Sequence, residues 1–272
     1  MDRVTSHRAF YAKLVAGSDA RVEAAFAAIP REQFLGPGPW RIFTRNGTIP
    51  TPSSDPAFLY QDLLVSLQEA GGINNGQPSL HAACISALNI QEGETITHIG
   101  AGAGYYTAIL ATLTGPTGRV NAFEIEKQLA AQAAANLTGW PNVIVCDRSG
   151  SIAPIPASDV IYVNAGATDP LAVWLDALRP GGRLMFPLTP DRVAGAMLLV
   201  KRAAANEYEA RFVMQVVFIP CVGARDPATA KKLSAGFEDG SFKNVRSLHR
   251  NTSPDDTCWV AGADWWLSTA AL

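Results

Sequence analysis

The apolar positions of this chain follow two periods that alternate through its middle. Residues 95–99, TITHI, are a short β-branched run that stops at Gly100. After a glycine-rich turn, residues 105–113 place apolar and alanine positions at helical spacing, and Gly115, Pro116 and Gly118 end them. Residues 119–125 form a second apolar run ending in an acid, Glu124. The alternation continues with a helix over 127–137 and a strand over 142–146 beside Asp147. A strand over 159–163 then ends at Asn164-Ala165-Gly166, and a helix over 170–178 is closed by Arg179-Pro180-Gly181-Gly182. A strand over 183–186 follows. Strands alternating with helices predict an α/β fold with a mostly parallel, doubly wound sheet covered on both faces.

The two ends differ from this middle. Residues 6–28 predict two short helices broken near Gly17-Ser18-Asp19, with Asp19 as N-cap of the second. Residues 35–56, rich in Gly, Pro, Thr and Ser, predict a long irregular segment, and residues 58–67 fit a helix or a strand. AGGINNGQP over 70–78 predicts no regular structure, and a helix follows over 79–88. Toward the C-terminus, residues 194–201 and 209–219 predict an antiparallel strand pair, followed by a helix over 227–235 and the segment WVAGADWWLS. The expected organisation is an N-terminal helical, substrate-side cap over 1–92, a ligand-binding domain over 93–220 and a C-terminal extension over 221–272.

The turn Gly100-Ala101-Gly102-Ala103-Gly104 is GxGxG. Glycines past a strand let the backbone turn sharply and approach a ligand, and an acid ending the next strand is placed to take two ribose hydroxyls. A pyrophosphate-binding fingerprint wants GxGxxG, and its third glycine is here Tyr105. This argues against a nicotinamide-dependent oxidoreductase. Ligands of such sheets bind outside the carboxyl ends of the strands. There the chain presents Gly100, Ala101, Gly102, Gly104, Glu124, Ile125, Asp147 and Asn164, with Tyr105 and Tyr106 opening the following helix.

Composition narrows the function further. Of 272 residues 48% are hydrophobic and 17% charged, ordinary for a soluble chain with a sizeable core. A net charge of −2, a pI near 6.1 and no run of Lys or Arg argue against nucleic acid as a partner. No segment approaches a membrane span, and the N-terminus lacks the apolar core of a signal peptide. Cys84, Cys146, Cys221 and Cys258 are scattered without CxxC spacing and read as buried free thiols in a reducing cytoplasm. His7, His81, His98 and His249 do not cluster, so no metal is expected. Trp259, Trp265 and Trp266 read as core or interface rather than a ligand cage.

GxGxG with a ribose-binding acid resembles motif I of the class I S-adenosylmethionine-dependent methyltransferases. Further stretches resemble the protein-L-isoaspartate O-methyltransferase family across residues 22–223. They are Ile29-Pro30-Arg31-Glu32-Gln33-Phe34 ("VPRExF"), Tyr60-Gln61-Asp62 ("YxD"), and His98 through Tyr105 ("xIGTGSGY"). Asn142-Val143 followed by Asp147 is similar to "NV…GDG", and LRPGGRLMFP and Val217-Phe218-Ile219-Pro220 are similar to the late strands. The resemblance implies a Rossmann-like fold, S-adenosylmethionine as cofactor, Glu124 on the ribose and Asp147 at the adenine amine. It also implies a carboxylate acceptor on a peptide or small molecule, methylated without a general base. The chain departs at the family's "GxTISxP", whose Thr and Ser face the isoaspartyl carboxylate. Here the stretch is Gly72-Ile73-Asn74-Asn75-Gly76-Gln77-Pro78, so the hydroxyl positions become Asn74 and Gly76. Asn74, Asn75, Gly76 and Gln77 are the expected acceptor contacts. His81 is the candidate base should the acceptor be a hydroxyl, and a non-catalytic cofactor-binding protein is the rival class.

Overall fold

The computed structural model describes residues 2–191 and 193–272. They divide into two compact units, Met1–Glu94 with Ala101–Arg148, and Thr95–Gly100 with Ser149–Leu272.

The first unit begins with helices α1 (Arg3–Ala16) and α2 (Ala20–Ala28). Asp2 caps α1 by accepting the Thr5 amide, and Asp19 caps α2 by accepting those of Arg21 and Val22. Ser86 Oγ also donates to Asp19 Oδ2 at 2.8 Å, tying α2 to α3 (Pro78–Leu88). Between these helices lie four short strands, β1 (Arg41–Thr44), β2 (Gly47–Pro50), β3 (Ser66–Gln68) and β4 (Ile73–Asn74). β1 pairs antiparallel with β2, and β3 with β4. The segment expected to be irregular over 35–56 therefore holds a hairpin, whose signal is the Asn46-Gly47 dipeptide at its turn. Residues 58–67 are neither one helix nor one strand. A short 3-10 turn over Pro56–Leu59 and β3 share the stretch.

The core of this unit is aromatic. Phe26 and Phe34 hold their rings 6.1 and 5.6 Å from that of Tyr105, and Tyr11 lies 6.1 Å from Phe26. All four are buried. Helix α4 (Tyr105–Thr114), strand β6 (Arg119–Glu124), helix α5 (Lys127–Asn136) and strand β7 (Val143–Asp147) complete the unit. β6 and β7 run parallel with Glu124 opposite Asp147.

The second unit holds β5 (Thr95–Ile99), β8 (Ser158–Val163), α6 (Ala172–Ala177), β9 (Leu178–Leu188), β10 (Gly195–Arg202) and β11 (Glu207–Val216). It ends in α7 (Pro227–Glu238), β12 (Ser247–Arg250), β13 (Cys258–Ala261) and β14 (Trp265–Ser268). β5, β8 and β9 are parallel neighbours; beyond them β10, β11, β12, β14 and β13 add on antiparallel. Arg179-Pro180-Gly181-Gly182 does not sit before the strand, as expected, but inside β9. Ser158 faces Leu178 while Val160 faces Arg183, so the extra residues are taken up as a bulge.

The antiparallel region extends well past the expected strand pair, because the C-terminal extension contributes three strands of its own. Its tryptophans are structural. Trp259 packs 5.4 Å from Phe212, the buried Trp265 donates its indole N–H to Asp169 Oδ1 at 2.9 Å, and Trp266 stacks on His249.

Candidate active site

The glycine turn is built in layers. Gly100 closes β5 with φ of 78°, and Gly102 and Gly104 follow at 55° and 98°. The Ala101 amide donates to Phe123 O at 3.1 Å, which holds the turn against β6. At Gly102 the positive φ favours glycine, and the space beside it is tight. A Cβ there would come within 3.1 Å of Leu67 Cδ1. The Gly102 amide donates to Glu124 Oε2 at 2.7 Å, and the Glu126 amide donates to Glu124 Oε1 at 3.0 Å. Glu124 is buried at the end of β6. A carboxylate oxygen has two lone pairs, so each oxygen keeps one to accept from a ribose hydroxyl. No basic side chain lies in the turn, and the Gly104 amide is spent on Ala101 O at 3.0 Å, which suits a ligand without phosphates. These residues fit S-adenosylmethionine. Asp147 ends β7 beside Glu124 with an exposed side chain, and Ile125 is also exposed.

Tyr105 and Tyr106 open α4 with both side chains buried inside the first unit. Tyr105 is buried among Phe26, Phe34 and Tyr11, and its hydroxyl lies 3.4 Å from that of Tyr11. Burial pushes both phenols well above their ordinary pKa. Tyr106 reaches the 74–77 loop. Its hydroxyl donates to Gly76 O at 3.2 Å, and its ring stacks on that of His81 with centroids 3.8 Å apart.

The loop over 74–77 spends most of its polar groups on neighbouring parts of the first unit. Asn74 Oδ1 accepts the Gly76 amide at 2.9 Å, so the amide expected to meet an acceptor carboxylate is already engaged. Asn75 acts as a piece of backbone. Its amide N–H donates to Val65 O at 3.0 Å, and its Oδ1 accepts the Val65 amide at 2.8 Å. Its Nδ2 is buried without a hydrogen-bond partner. Gln77 donates to Asp62 Oδ2 at 2.8 Å.

Asp62 also accepts the Ser79 amide at 2.8 Å, so a residue from a distant loop caps α3. Two residues of the Pro30-Arg31-Glu32 stretch hold that loop in place. Arg31 is fully buried and donates to the carbonyls of Leu59 (2.6 Å), Gln61 (3.1 Å) and Leu63 (2.7 Å), while Tyr60 donates its hydroxyl to Glu32. Arg31, Glu32, Tyr60 and Asp62 thus tie the 59–63 segment to the 74–77 loop and the start of α3. Sequence reasoning had quoted them as motif residues without giving them a role.

In the second unit, Asn164 follows β8, and its amide N–H donates to Ile99 O at 2.8 Å. Its side-chain Nδ2 donates to His98 Nε2 at 2.7 Å, and its Oδ1 is buried without a hydrogen-bond partner. An amide nitrogen can only donate, so Nε2 accepts and the ring carries its proton on Nδ1. Complete burial pushes the His98 pKa down to about 3, which keeps the ring neutral. Arg225 of the extension donates to Gly166 O at 3.1 Å and Thr189 O at 2.7 Å, steadying the segment after Asn164.

Among the described residues no group of three or more His, Cys, Asp or Glu side chains could hold a metal, and no helix is long and apolar enough to cross a membrane. The four cysteines form no disulfide, and Cys84 and Cys221 are the buried pair. Cys146 and Cys258 are half-buried.

The sequence profile of the protein-L-isoaspartate(D-aspartate) O-methyltransferase (PCMT) family matches residues 11–226. A protein-L-isoaspartate O-methyltransferase 2 of Marinobacter nauticus is 32% identical over 212 residues, covering 76% of this chain and 86% of the relative. A protein-L-isoaspartate O-methyltransferase of Methanothermobacter thermautotrophicus is 28% identical over 209 residues, covering 74% and 87%. Among solved structures, a protein-L-isoaspartate O-methyltransferase superposes with a TM-score of 0.68 at 22% identity, covering 86% of this chain and 69% of that one. The Plasmodium falciparum structure described as a putative protein-L-isoaspartate O-methyltransferase, in complex with S-adenosyl-L-homocysteine, gives 0.64 at 16%, covering 82% and 100%. The chain belongs to the protein-L-isoaspartate(D-aspartate) O-methyltransferase family, and is a Rossmann-like, S-adenosylmethionine-dependent methyltransferase.

Proposed function

We propose that this methyltransferase esterifies a carboxylate on a peptide or small molecule, and that generic isoaspartyl peptides are poor acceptors. Bound S-adenosylmethionine supplies an electrophilic methyl group on a sulfonium. The chain's own residues hold and orient. Glu124 and the 101–104 turn take the ribose end, and Ile125 and Asp147 the adenine. A carboxylate is already ionised near neutral pH, so it needs no base. Rate then comes from alignment and from excluding water around the acceptor oxygen.

The observation that carries this reading is the internal hydrogen bonding of the acceptor loop. Asn74 Oδ1 takes the Gly76 amide, and Asn75 pairs with the Val65 backbone. Neither position offers a hydroxyl. A site that has lost its hydrogen-bond donors to one acceptor discriminates against it strongly. The test is to incubate the chain with methyl-labelled cofactor and a panel of carboxylate-bearing peptides and metabolites, and then raise the pH. Volatile methanol released from a base-labile ester supports the reading. A base-stable methyl product would assign the acceptor to a hydroxyl or amine. No methyl transfer to any acceptor, with the cofactor bound, would leave a non-catalytic binding protein.

A further inference from the structure

We propose that Arg148 binds the adenine of S-adenosylmethionine through the face of its guanidinium. This rests on the cofactor assignment above and adds a residue to it. The last two rungs of the parallel β6–β7 pair are Phe123 opposite Cys146 and Glu124 opposite Asp147. Successive side chains of a strand alternate between faces, so Glu124 and Asp147 share one face and Phe123 and Cys146 the other. Arg148 follows Asp147 and turns back. Its backbone N–H donates to Cys146 O at 2.9 Å, and its guanidinium carbon lies 4.7 Å from the centroid of the Phe123 ring. Burial pushes the Cys146 thiol up, and the nearby Arg148 charge offsets part of that rise. The guanidinium therefore lies over the Phe123–Cys146 rung, next to the rung formed by the two strand-end acids.

A guanidinium is planar and weakly hydrated, and it takes aromatic rings on its faces. Phe123 is buried and Arg148 exposed, so a core ring backs a solvent-accessible cation. Ile125, the residue after Glu124, is 43% exposed. The two strand ends thus offer an apolar surface and a cation beside the acid that would take the adenine amine. That combination suits a purine, which presents a π-face and an amine-bearing edge. An arginine already resting on Phe123 also has less rotamer freedom to lose when the ligand arrives. In the family's GDG stretch the residue after the acid is glycine, so the contact belongs to this chain rather than to the motif.

The unaltered chain, Arg148→Met and Arg148→Lys test this, by urea unfolding and by calorimetry with two ligands. These are S-adenosylhomocysteine and S-inosylhomocysteine, whose base carries a carbonyl oxygen in place of the amine. Arg148→Met should weaken both ligands by about fivefold or more, because stacking does not read the amine. Its unfolding midpoint should stay unchanged, because the side chain is exposed. Arg148→Lys should regain little of the loss, since an ammonium has no planar face. An unaltered S-adenosylhomocysteine Kd in Arg148→Met overturns the assignment. So does a loss confined to S-adenosylhomocysteine, which would place the effect at the amine, or one that Arg148→Lys fully restores, which would reduce it to charge. A Kd that weakens only in step with a falling unfolding midpoint overturns it too, and leaves Arg148 as a brace for Phe123. Failure of the unaltered chain to bind S-adenosylhomocysteine would instead refute the cofactor reading, and this assignment with it.

Discussion

The backbone amide of Gly102 donates to Oε2 of Glu124 at 2.7 Å, so the glycine turn and the strand-end acid are one hydrogen-bonded unit. The acid that would receive the ribose also holds the turn that lies beside it. Glu124→Ala should therefore weaken S-adenosylhomocysteine binding by about 2–3 kcal/mol, through lost charge-assisted bonds and a loosened turn. Glu124→Gln keeps one acceptor oxygen and should fall between. Calorimetry showing an unaltered Kd for Glu124→Ala would remove the carboxylate from the cofactor site.

Gly102→Val combines two costs. Its φ of 55° is strained by about 1–2 kcal/mol for a residue with a Cβ, and that atom would press on Leu67 Cδ1 at 3.1 Å. The variant should keep its far-ultraviolet dichroism and lose cofactor binding. If it folds and binds as the unaltered chain does, the turn serves only to link β5 and α4.

Arg31 predicts a stability effect with a functional echo. Arg31→Met leaves three backbone carbonyls, that of Leu59 buried, without their donor and should cost roughly 2–4 kcal/mol in urea unfolding. Arg31→Lys should recover only part, because a single ammonium cannot reach all three. Because the same loop carries Asp62, the acceptor KM should rise more than the cofactor Kd changes. Equal changes in both would mean that the clamp does not act on the acceptor loop.

His98 predicts a pH dependence. Its pKa in the fold is about 3, below the ordinary value of 6.5, so the unfolded chain binds the proton more readily. The stability it contributes is complete above pH 6.5 and is lost as pH falls toward 3. From roughly pH 7.5 to 5.5 this amounts to about 1–1.5 kcal/mol. His98→Gln should flatten that part of the curve, as read from urea midpoints at the two pH values. An unchanged slope in the variant would mean that another group is responsible.

Much of this was legible in the sequence where the physics is local. β5, α4, β6 and β8 lie within a residue or so of their expected bounds, because apolar period and glycine stops decide them. The Asp19 cap was legible for the same reason. What failed depends on partners distant in sequence. Arg179 to Gly182 reads as a loop until β8 is there to pair around a bulge, and the extension's strands exist because β11 offers an edge. In the site, the turn and Glu124 were readable as a motif. The surroundings of Tyr105 were not legible locally, because Tyr11, Phe26 and Phe34 lie about 70 or more residues away. That Asn75 Oδ1 also stands in for backbone against Val65 is something only the fold reveals.

The most direct test of the central claim compares the unaltered chain with an ordinary family repair enzyme on the same isoaspartyl peptide. Both are measured at saturating S-adenosylmethionine, with cofactor affinity determined in parallel. The account predicts comparable cofactor affinity and a kcat/KM on the peptide lower by at least two orders of magnitude, the size expected when a buried hydrogen-bonding set no longer matches its acceptor. A kcat/KM equal to that of the repair enzyme would contradict the altered-acceptor account and leave ordinary isoaspartate repair, carried out with a tolerant loop, as the function.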